Sequence, residues 1–324
     1  MIPAGAAFSM GTPAAGAIPL VAVTRSGFTE SVHTGFAVVV DRDGTVTAYG
    51  NADAPIYPRS ALKPFQTVAA LRAGARLTPA DLAIVSASHT GRPEHVAAVL
   101  GVLAAARLGE SALQTPAAWP SDARAARDLA ARGGSAGPIT MNCSGNHAGM
   151  LAGSVASGWP TGSYLAPDHP IHAAATAVLT EYCGVRPQHQ GVDGCGGPVW
   201  ALPLVALARG LQALATQEPD LLVAMRAHPE LVEGPGTATS AMIAALGVAA
   251  KPGAEGVFTA VAQDGTAVAV KALDGGRRPG AVIAATLLAR AGAVDPDSAA
   301  SLLDSAHFRV LGGGRTVGAL HPLI

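Results

Sequence analysis

The chain has 324 residues, of which 49% are hydrophobic and only 13% are charged, and its formal net charge is -1. This length suits one large domain or two closely packed ones, and the apolar content supports a sizeable core rather than a disordered chain. The sequence has no basic block or stripe, which argues against nucleic acid as a partner. Its apolar runs are interrupted well before the roughly 20 residues that cross a membrane, so we expect no membrane partner either.

The chain begins with a segment rich in Ala, Gly and Pro that has no basic stretch followed by a leucine-rich run. We therefore predict a flexible tail over residues 1–19 and a single compact domain over residues 20–324, in a cytoplasmic protein. The three cysteines are odd in number and form no C-x-x-C pair. This pattern argues against a disulfide framework.

Strands are predicted at 20–25 and then at 35–40 and 45–50, which form a hairpin around a glycine-containing turn. A Ser-x-x-Lys sequence follows, in which Ser60 and Lys63 precede Pro64 and a run of helix formers. Because Pro64 has no N–H, the helix proper begins near it, and residues 60–63 form a tight first turn of the 3₁₀ kind. Positions i and i+3 share a helix face, so the hydroxyl and the amine lie side by side.

This serine–lysine pair has two interpretations. A hydroxyl beside an amine suits nucleophilic catalysis, provided that burial keeps the lysine neutral. Alternatively, the serine is a helix N-cap and the lysine is solvated, which is the usual meaning of a short S-x-x-K sequence. The rest of the chain has to decide between the two.

Helices dominate the middle of the chain, and strands return at its end. A long helical pattern starts at Pro93, and further helices are predicted at 170–182, 205–214, 219–227 and 240–246. Strands at 256–261 and 267–273 are joined by an Asp-Gly turn, a helix covers 279–291, and residues 316–320 close the sheet. We therefore predict an α+β fold, in which an antiparallel sheet from both chain ends packs against a helical region.

Other polar side chains stand at the ends of apolar segments. Ser88 ends one such segment, and Lys271 ends the strand at 267–270. Each could reach a site, but Ser88 could equally cap a helix or strand. Lys271 could equally be an edge lysine that prevents strand pairing.

Two glycine-rich turns carry the remaining candidates. Cys143, His147 and Cys195 are residue types that suit zinc, although their spacing fits no standard zinc finger and isolated cysteines are most often buried apolar residues. Asp193, followed by Gly194, places a carboxylate on a tight turn. It could bind a substrate ammonium group or cap the turn through its own backbone.

Several short motifs occur in the order that is found in one protein family. They are R-S-A-L-K-P at 59–64, A-S-H at 87–89, N-C-S-G-N-H-A-G-M at 142–150, D-H-P at 168–170, D-G-C at 193–195, H-P-E-L-V at 228–232 and Lys271. From about residue 20 to the C-terminus, the chain resembles the L-asparaginase II family, the rhizobial-type asparaginases. No single motif is decisive, but seven in order make coincidence improbable.

The resemblance implies a fold similar to that of serine β-lactamases and glutaminases, and the hydrolysis of L-asparagine to L-aspartate and ammonia. It implies a homodimer and two Ser–Lys pairs, here Ser60–Lys63 and Ser88–Lys271. We expect Ser60 to attack the substrate while Ser88 and Lys271 extend the proton relay, although Ser88 as the nucleophile stays open. Substrate binding is expected from four residues of the two turns and the Ser60 helix: Asp193 with Gly194 for the α-ammonium group, and Arg59 or His147 for the α-carboxylate.

The resemblance also implies a zinc ion held by two cysteines, which match Cys143 and Cys195, and by a lysine. Here Asn146 stands where the family has that lysine. An amide offers only a weak carbonyl oxygen to zinc, so we expect zinc binding to be weak or absent and catalysis to require no cofactor.

Two other functions stay open on the sequence. One is a β-lactamase or penicillin-binding type of acyl hydrolase, against which stands the absence of a Ser-Asp-Asn triplet and of a Lys-Thr-Gly motif. The other is a catalytically silent amino-acid-binding protein on the same scaffold, for which Asn146 is the only sign.

Overall fold

The computed structural model describes residues 14–324. Of the predicted tail, residues 1–13 lie outside this range, and Ile18 and Pro19 already belong to the first strand. No helix within residues 14–324 is both long and apolar enough to span a membrane.

The strands of the described chain are β1 (Ile18–Arg25), β2 (Phe28–Val40), β3 (Val46–Tyr49), β4 (Pro55–Ile56), β5 (His189–Val192), β6 (Pro198–Pro203), β7 (Ala249–Pro252), β8 (Val257–Val261), β9 (Ala267–Ala272), β10 (Arg309–Gly312) and β11 (Arg315–Pro322). The α-helices are α1 (Lys63–Arg72), α2 (Pro79–Val85), α3 (Pro93–Ala105), α4 (Ala123–Ala131), α5 (Ser144–Ala156), α6 (Pro170–Cys183), α7 (Leu204–Gln217), α8 (Pro219–Ala227), α9 (Pro229–Val232), α10 (Ala238–Leu246), α11 (Arg278–Arg290) and α12 (Pro296–Leu303). Single 3₁₀ turns cover Arg59–Leu62, Glu110–Ala112, Thr161–Ser163 and Ala306–Phe308.

Both ends of the chain build one large antiparallel sheet. Its order is β10-β11-β1-β2-β9-β8-β7, and β3 also pairs with β2. A smaller sheet has the order β4-β6-β5. The predicted α+β fold is therefore confirmed, including the hairpins β2–β3 and β8–β9.

The centre of the large sheet is covered on both faces. Residues 35–40 of β2 and residues 257–261 of β8 are all buried, and successive side chains in a strand point to opposite faces. Helices α7 and α11 pack against these strands. A continuous apolar core extends from the sheet to α1 and α6.

The other helices form a second apolar cluster built mainly from α2, α3 and α5. Helix α5 approaches α2 closely because two of its residues are glycines. A Cβ atom at Gly145 would lie 2.2 Å from the carbonyl oxygen of Ile84, and one at Gly149 would lie 2.2 Å from a methyl group of Val85. This contact brings the start of α5 next to the end of α2, and the candidate site lies at that junction.

Three strands that shape the site were not predicted from the sequence. Strand β7 is only four residues long, and β5 is short and largely exposed. The glycine-rich segment 191–198, predicted as a loop, spans the end of β5, the tip of a hairpin and the start of β6. Short strands of this kind carry too few residues for a periodic pattern.

Candidate active site

The Ser60–Lys63 turn has the predicted local structure. Residues Arg59–Leu62 form a 3₁₀ turn, and α1 begins at Lys63 with Pro64 in its first turn. Arg59 has a φ of 55°, in the left-handed region that is unfavourable for a residue with a side chain. The 3₁₀ turn therefore begins with one strained residue, Arg59, which directly precedes Ser60.

Lys63 is buried and joins two segments of the site. Its Nζ donates hydrogen bonds to the carbonyl oxygen of Ala87, at 2.5 Å, and to Ser88 Oγ, at 3.0 Å. Only 3% of its surface is exposed. Lys63 therefore reaches the second predicted serine, Ser88, whereas Ser60 precedes it by one helical turn.

Ser88 is held in place by the backbone that follows α2. Its N–H donates to the carbonyl oxygen of Val232 at 3.0 Å. Two residues earlier, the Ser86 hydroxyl shares a hydrogen bond of 2.9 Å with the Thr67 hydroxyl of α1. The segment 86–88 is thus tied both to α1 and to α9.

The second lysine at Ser88 is Lys251, which the sequence analysis missed. Lys251 lies on β7, at the edge of the large sheet, and its Nζ donates to Ser88 Oγ at 2.7 Å and to the carbonyl oxygen of Pro252 at 2.9 Å. Burial lowers the pKa of Lys251 well below its usual range, and the nearby charge of Lys63 lowers it further. Ser88 Oγ is therefore the common acceptor of two buried amines.

The predicted pair Ser88–Lys271 is not formed. Lys271 lies on β9, two strands inward from β7, and its Nζ donates to the carbonyl oxygen of Glu255. Both lysines stand near the end of a strand, but only the one on the edge strand contacts Ser88. The sequence signal for Lys251 was the short apolar run 248–250, which follows Gly247 and is itself followed by Lys-Pro-Gly.

Arg59 and Asp193, both predicted to bind substrate, pair with each other. The carboxylate oxygen Oδ1 of Asp193 accepts from Arg59 Nε at 2.9 Å and from Arg59 Nη2 at 2.6 Å. The same oxygen accepts the N–H of Gly194 at 2.6 Å. Hydrogen bonding to Asp193 raises the pKa of Arg59, so the guanidinium is charged at neutral pH.

His147 is completely buried in the first turn of α5. Its Nδ1 lies 2.8 Å from the hydroxyl of Tyr164, and its Nε2 has no hydrogen-bond partner among residues 14–324. Burial lowers the pKa of His147 to about 3, and the charge of Lys63 acts in the same direction. The imidazole is therefore neutral at pH 7, and its free nitrogen lies near the Cys195 turn.

The two cysteines predicted as metal ligands contact each other. The hydrogen bond that they share lowers the pKa of Cys143 and raises that of Cys195, which acts as the donor. The third position, Asn146, donates its amide Nδ2 to the carbonyl oxygen of Val85 at 3.1 Å. Within residues 14–324, no group of three or more His, Cys, Asp and Glu side chains is placed to hold a metal ion.

Two thiols and an engaged amide do not make a zinc site, so no catalytic step is assigned to zinc here. We expect the purified protein to bind zinc weakly, and Asn146→Lys to increase the zinc retained after dialysis, because an amine would supply the missing third donor. Elemental analysis of both proteins measures this directly. One tightly held zinc ion per wild-type chain would contradict the expectation.

These residues enclose a small cavity. It is lined by Ser60, Lys63, Asp193 and Cys195 together with residues of α1, α5 and β6. Water can reach only about 10 Å³ of it. A hydroxyl, an amine and an ion pair therefore converge on a space that holds about one water molecule.

Three solved structures illustrate what the chain is similar to. The glutamate form of Mglu matches 83% of this chain at 13% identity and a TM-score of 0.45, and this chain spans only 62% of that protein. A β-lactamase from Mycobacterium bovis matches 79% of this chain and 94% of its own, at 14% identity and a TM-score of 0.42. A probable glutaminase from Bacillus subtilis matches 80% of this chain and 84% of its own, at 13% identity and a TM-score of 0.33. Similarities this distant carry no argument about activity.

No curated protein matches the chain. The family model of L-asparaginase II, in contrast, matches residues 21–322, which is nearly the whole described chain. The match covers the Ser60 turn, Ser88, the cysteine turns and both strand lysines. The chain therefore belongs to the L-asparaginase II family of amidohydrolases.

Proposed function

We propose that this protein hydrolyses L-asparagine to L-aspartate and ammonia by acyl transfer to a serine. The observation that carries the proposal is Ser88 Oγ, which lies 2.7 Å from Lys251 Nζ and 3.0 Å from the Nζ of Lys63, a residue that lines the cavity at Ser60. A chain of hydroxyls and buried amines that opens on a cavity suits proton transfer during amide hydrolysis.

In the proposed reaction, Ser60 Oγ attacks the side-chain amide carbon of asparagine. Lys63 takes the proton of this hydroxyl and in exchange passes one of its own through the Ser88 hydroxyl to Lys251, whose lowered pKa makes it a neutral amine that can accept it. The C–N bond then breaks, and the nitrogen takes a proton from the same relay and leaves as ammonia. Water attacks the aspartyl ester, and Ser60 recovers its proton as aspartate is released.

Arg59 and Asp193 are proposed to hold the two ends of the amino acid. The guanidinium would take the α-carboxylate and the carboxylate of Asp193, next to Gly194, the α-ammonium group. The α-carboxylate of asparagine has the same negative charge as Asp193, and its α-ammonium group has the same positive charge as Arg59. The two groups can therefore replace the ion pair that Arg59 and Asp193 form with each other. His147, whose Nε2 has no hydrogen-bond partner among residues 14–324, is proposed as a further contact for the carboxylate, in the tautomer that carries its proton on Nε2.

Either serine could carry the acyl group, because Lys63 donates to Ser88 Oγ and lines the same cavity as Ser60. Ser60 is favoured because it lines the cavity with Arg59 and Asp193, whereas Ser88 already accepts from two lysines. This assignment is tested by quenching the enzyme with acid during turnover of asparagine and identifying the peptide that carries the aspartyl group. An acyl group on a peptide that contains Ser88 and not Ser60 would reverse the assignment.

The proposal is tested by measuring ammonia release from asparagine and glutamine, and ring opening of a β-lactam. We expect release from asparagine, and a loss of roughly 10³-fold or more in kcat for Ser60→Ala. Ring opening of the β-lactam alone would favour the penicillin-binding type of hydrolase. Binding of asparagine without ammonia release would favour the silent amino-acid-binding protein. The homodimer and the cytoplasmic location stay predictions.

A further inference from the structure

The cavity at Ser60 is too small for any amino acid. Water reaches about 10 Å³ of it, and a site of roughly 10–15 Å³ holds a single water molecule. The proposed substrate has many more atoms than that. At least one wall of the cavity therefore has to move before a whole amino acid can enter it beside Ser60.

Most of the walls belong to tightly packed helices. Helix α1 is buried over most of its first two turns, and α5 is buried from Ser144 to Ser154 and locked against α2 by its glycines. Interiors packed at this density do not open by local motion. The other walls are the 3₁₀ turn Arg59–Leu62, the buried start of β6 and the turn of residues 193–197, which connects β5 to β6 and which we call the 193–197 turn.

The 193–197 turn is attached to the molecule by few contacts. Strand β5 pairs only with β6 and is mostly exposed, and Val192 at the base of the turn exposes 76% of its surface. Three of the five residues of the turn are glycines, and Gly196 has a φ of 88°. Its ties to the site are the Arg59–Asp193 ion pair and the contact between Cys195 and Cys143.

Two features of the site are energetically unfavourable while the turn is closed. His147 Nε2 is completely buried and has no hydrogen-bond partner in the described part of the chain, and it lies 3.9 Å from the place that a Cβ atom at Gly197 would occupy. Arg59, the partner of Asp193, is held at a φ of 55°. A buried ring nitrogen that lacks a hydrogen bond and a strained residue both favour a rearrangement in which a ligand supplies the missing partner.

We propose that the 193–197 turn is a gate over Ser60, and that the Arg59–Asp193 ion pair is its latch. Opening separates Asp193 from Arg59 and breaks the hydrogen bond from Asp193 N–H to the carbonyl oxygen of Gly197. The α-carboxylate and α-ammonium groups of an amino acid then replace the two partners that the latch has lost. The identity of this ligand rests on the proposed function, but the gate itself does not.

Amide hydrogen exchange, followed by mass spectrometry without any substrate, tests the gate. Asp193→Asn weakens the latch, so we expect amides 192–197 to exchange about fivefold to tenfold faster than in the wild type. Arg59→Gln weakens it from the other side and should give the same pattern. Exchange in α1, α5 and the large sheet should not change in either variant.

A matched control is Glu181→Gln, which breaks an exposed ion pair with Arg72 that involves no residue of the turn. It should leave exchange at 192–197 unchanged. Equal exchange of this segment in the wild type and both latch variants would overturn the proposal. Faster exchange throughout the molecule would also overturn it, because the ion pair would then stabilise the whole fold instead of a local gate. Since the experiment needs no turnover, a failure to hydrolyse asparagine would not affect its result.

Discussion

Replacing Lys251 with methionine is expected to lower kcat/KM for asparagine by roughly 10³-fold, or about 4 kcal/mol of transition-state stabilisation. Methionine keeps much of the length and apolar surface of the lysine, but it removes the amine that lies 2.7 Å from Ser88 Oγ. The proposed relay then ends at Ser88, with no neutral base behind it. Ammonia release under initial-rate conditions measures the loss.

The matched control for this substitution is Lys271→Met, on the same sheet. Its Nζ contacts the carbonyl oxygen of Glu255 and not Ser88, so we expect kcat/KM to change by less than about threefold. Urea denaturation of both variants separates catalysis from folding. If Lys271→Met lost most of its activity and Lys251→Met lost little, the proton relay would run through Lys271 and not through Lys251 as proposed.

The free energy of unfolding is expected to fall by about 4 kcal/mol between pH 7 and pH 5, from two buried histidines alone. Burial lowers the pKa of His147 to about 3 and that of His172 to about 4, against an ordinary value of 6.5. Below pH 6.5 the unfolded chain binds protons at both residues while the folded protein does not. Stability is therefore complete above pH 6.5 and is lost as the pH falls towards 4. Burial lowers the pKa of His89 in the same direction.

Urea titrations at pH 5, 6, 7 and 8 measure this dependence. His172→Gln should remove about half of the difference between pH 7 and pH 5, because one of the two proton-binding sites is gone. His307→Gln is the control, since the His307 side chain is exposed in the folded protein. A constant free energy of unfolding from pH 8 to pH 5 would show that these imidazoles reach solvent in the folded state.

Much of the fold followed from local patterns in the sequence. The strands at both ends, the long helices and the 3₁₀ turn before Pro64 were predicted because each depends on residues that are close in the chain. Strands β5 and β7 were missed because four residues are too few to show a period of their own, and β6 was missed because it begins and ends with a proline, which is typical of loops. These missed strands affected the prediction of the site more than that of the fold, because β7 carries Lys251 and the hairpin carries Asp193 and Cys195.

The sequence by itself determined that Ser60 and Lys63 share one helical turn, because a spacing of three residues fixes that geometry wherever the helix lies. It also determined that Ser88, two cysteines and an acidic glycine turn occur in the order of one family. Only the tertiary structure decided which lysine meets Ser88. That contact joins residues 163 positions apart. It depends on β7 being the edge strand of the sheet and β9 an inner one, and strand order is set by packing over the whole domain rather than by neighbours in the sequence.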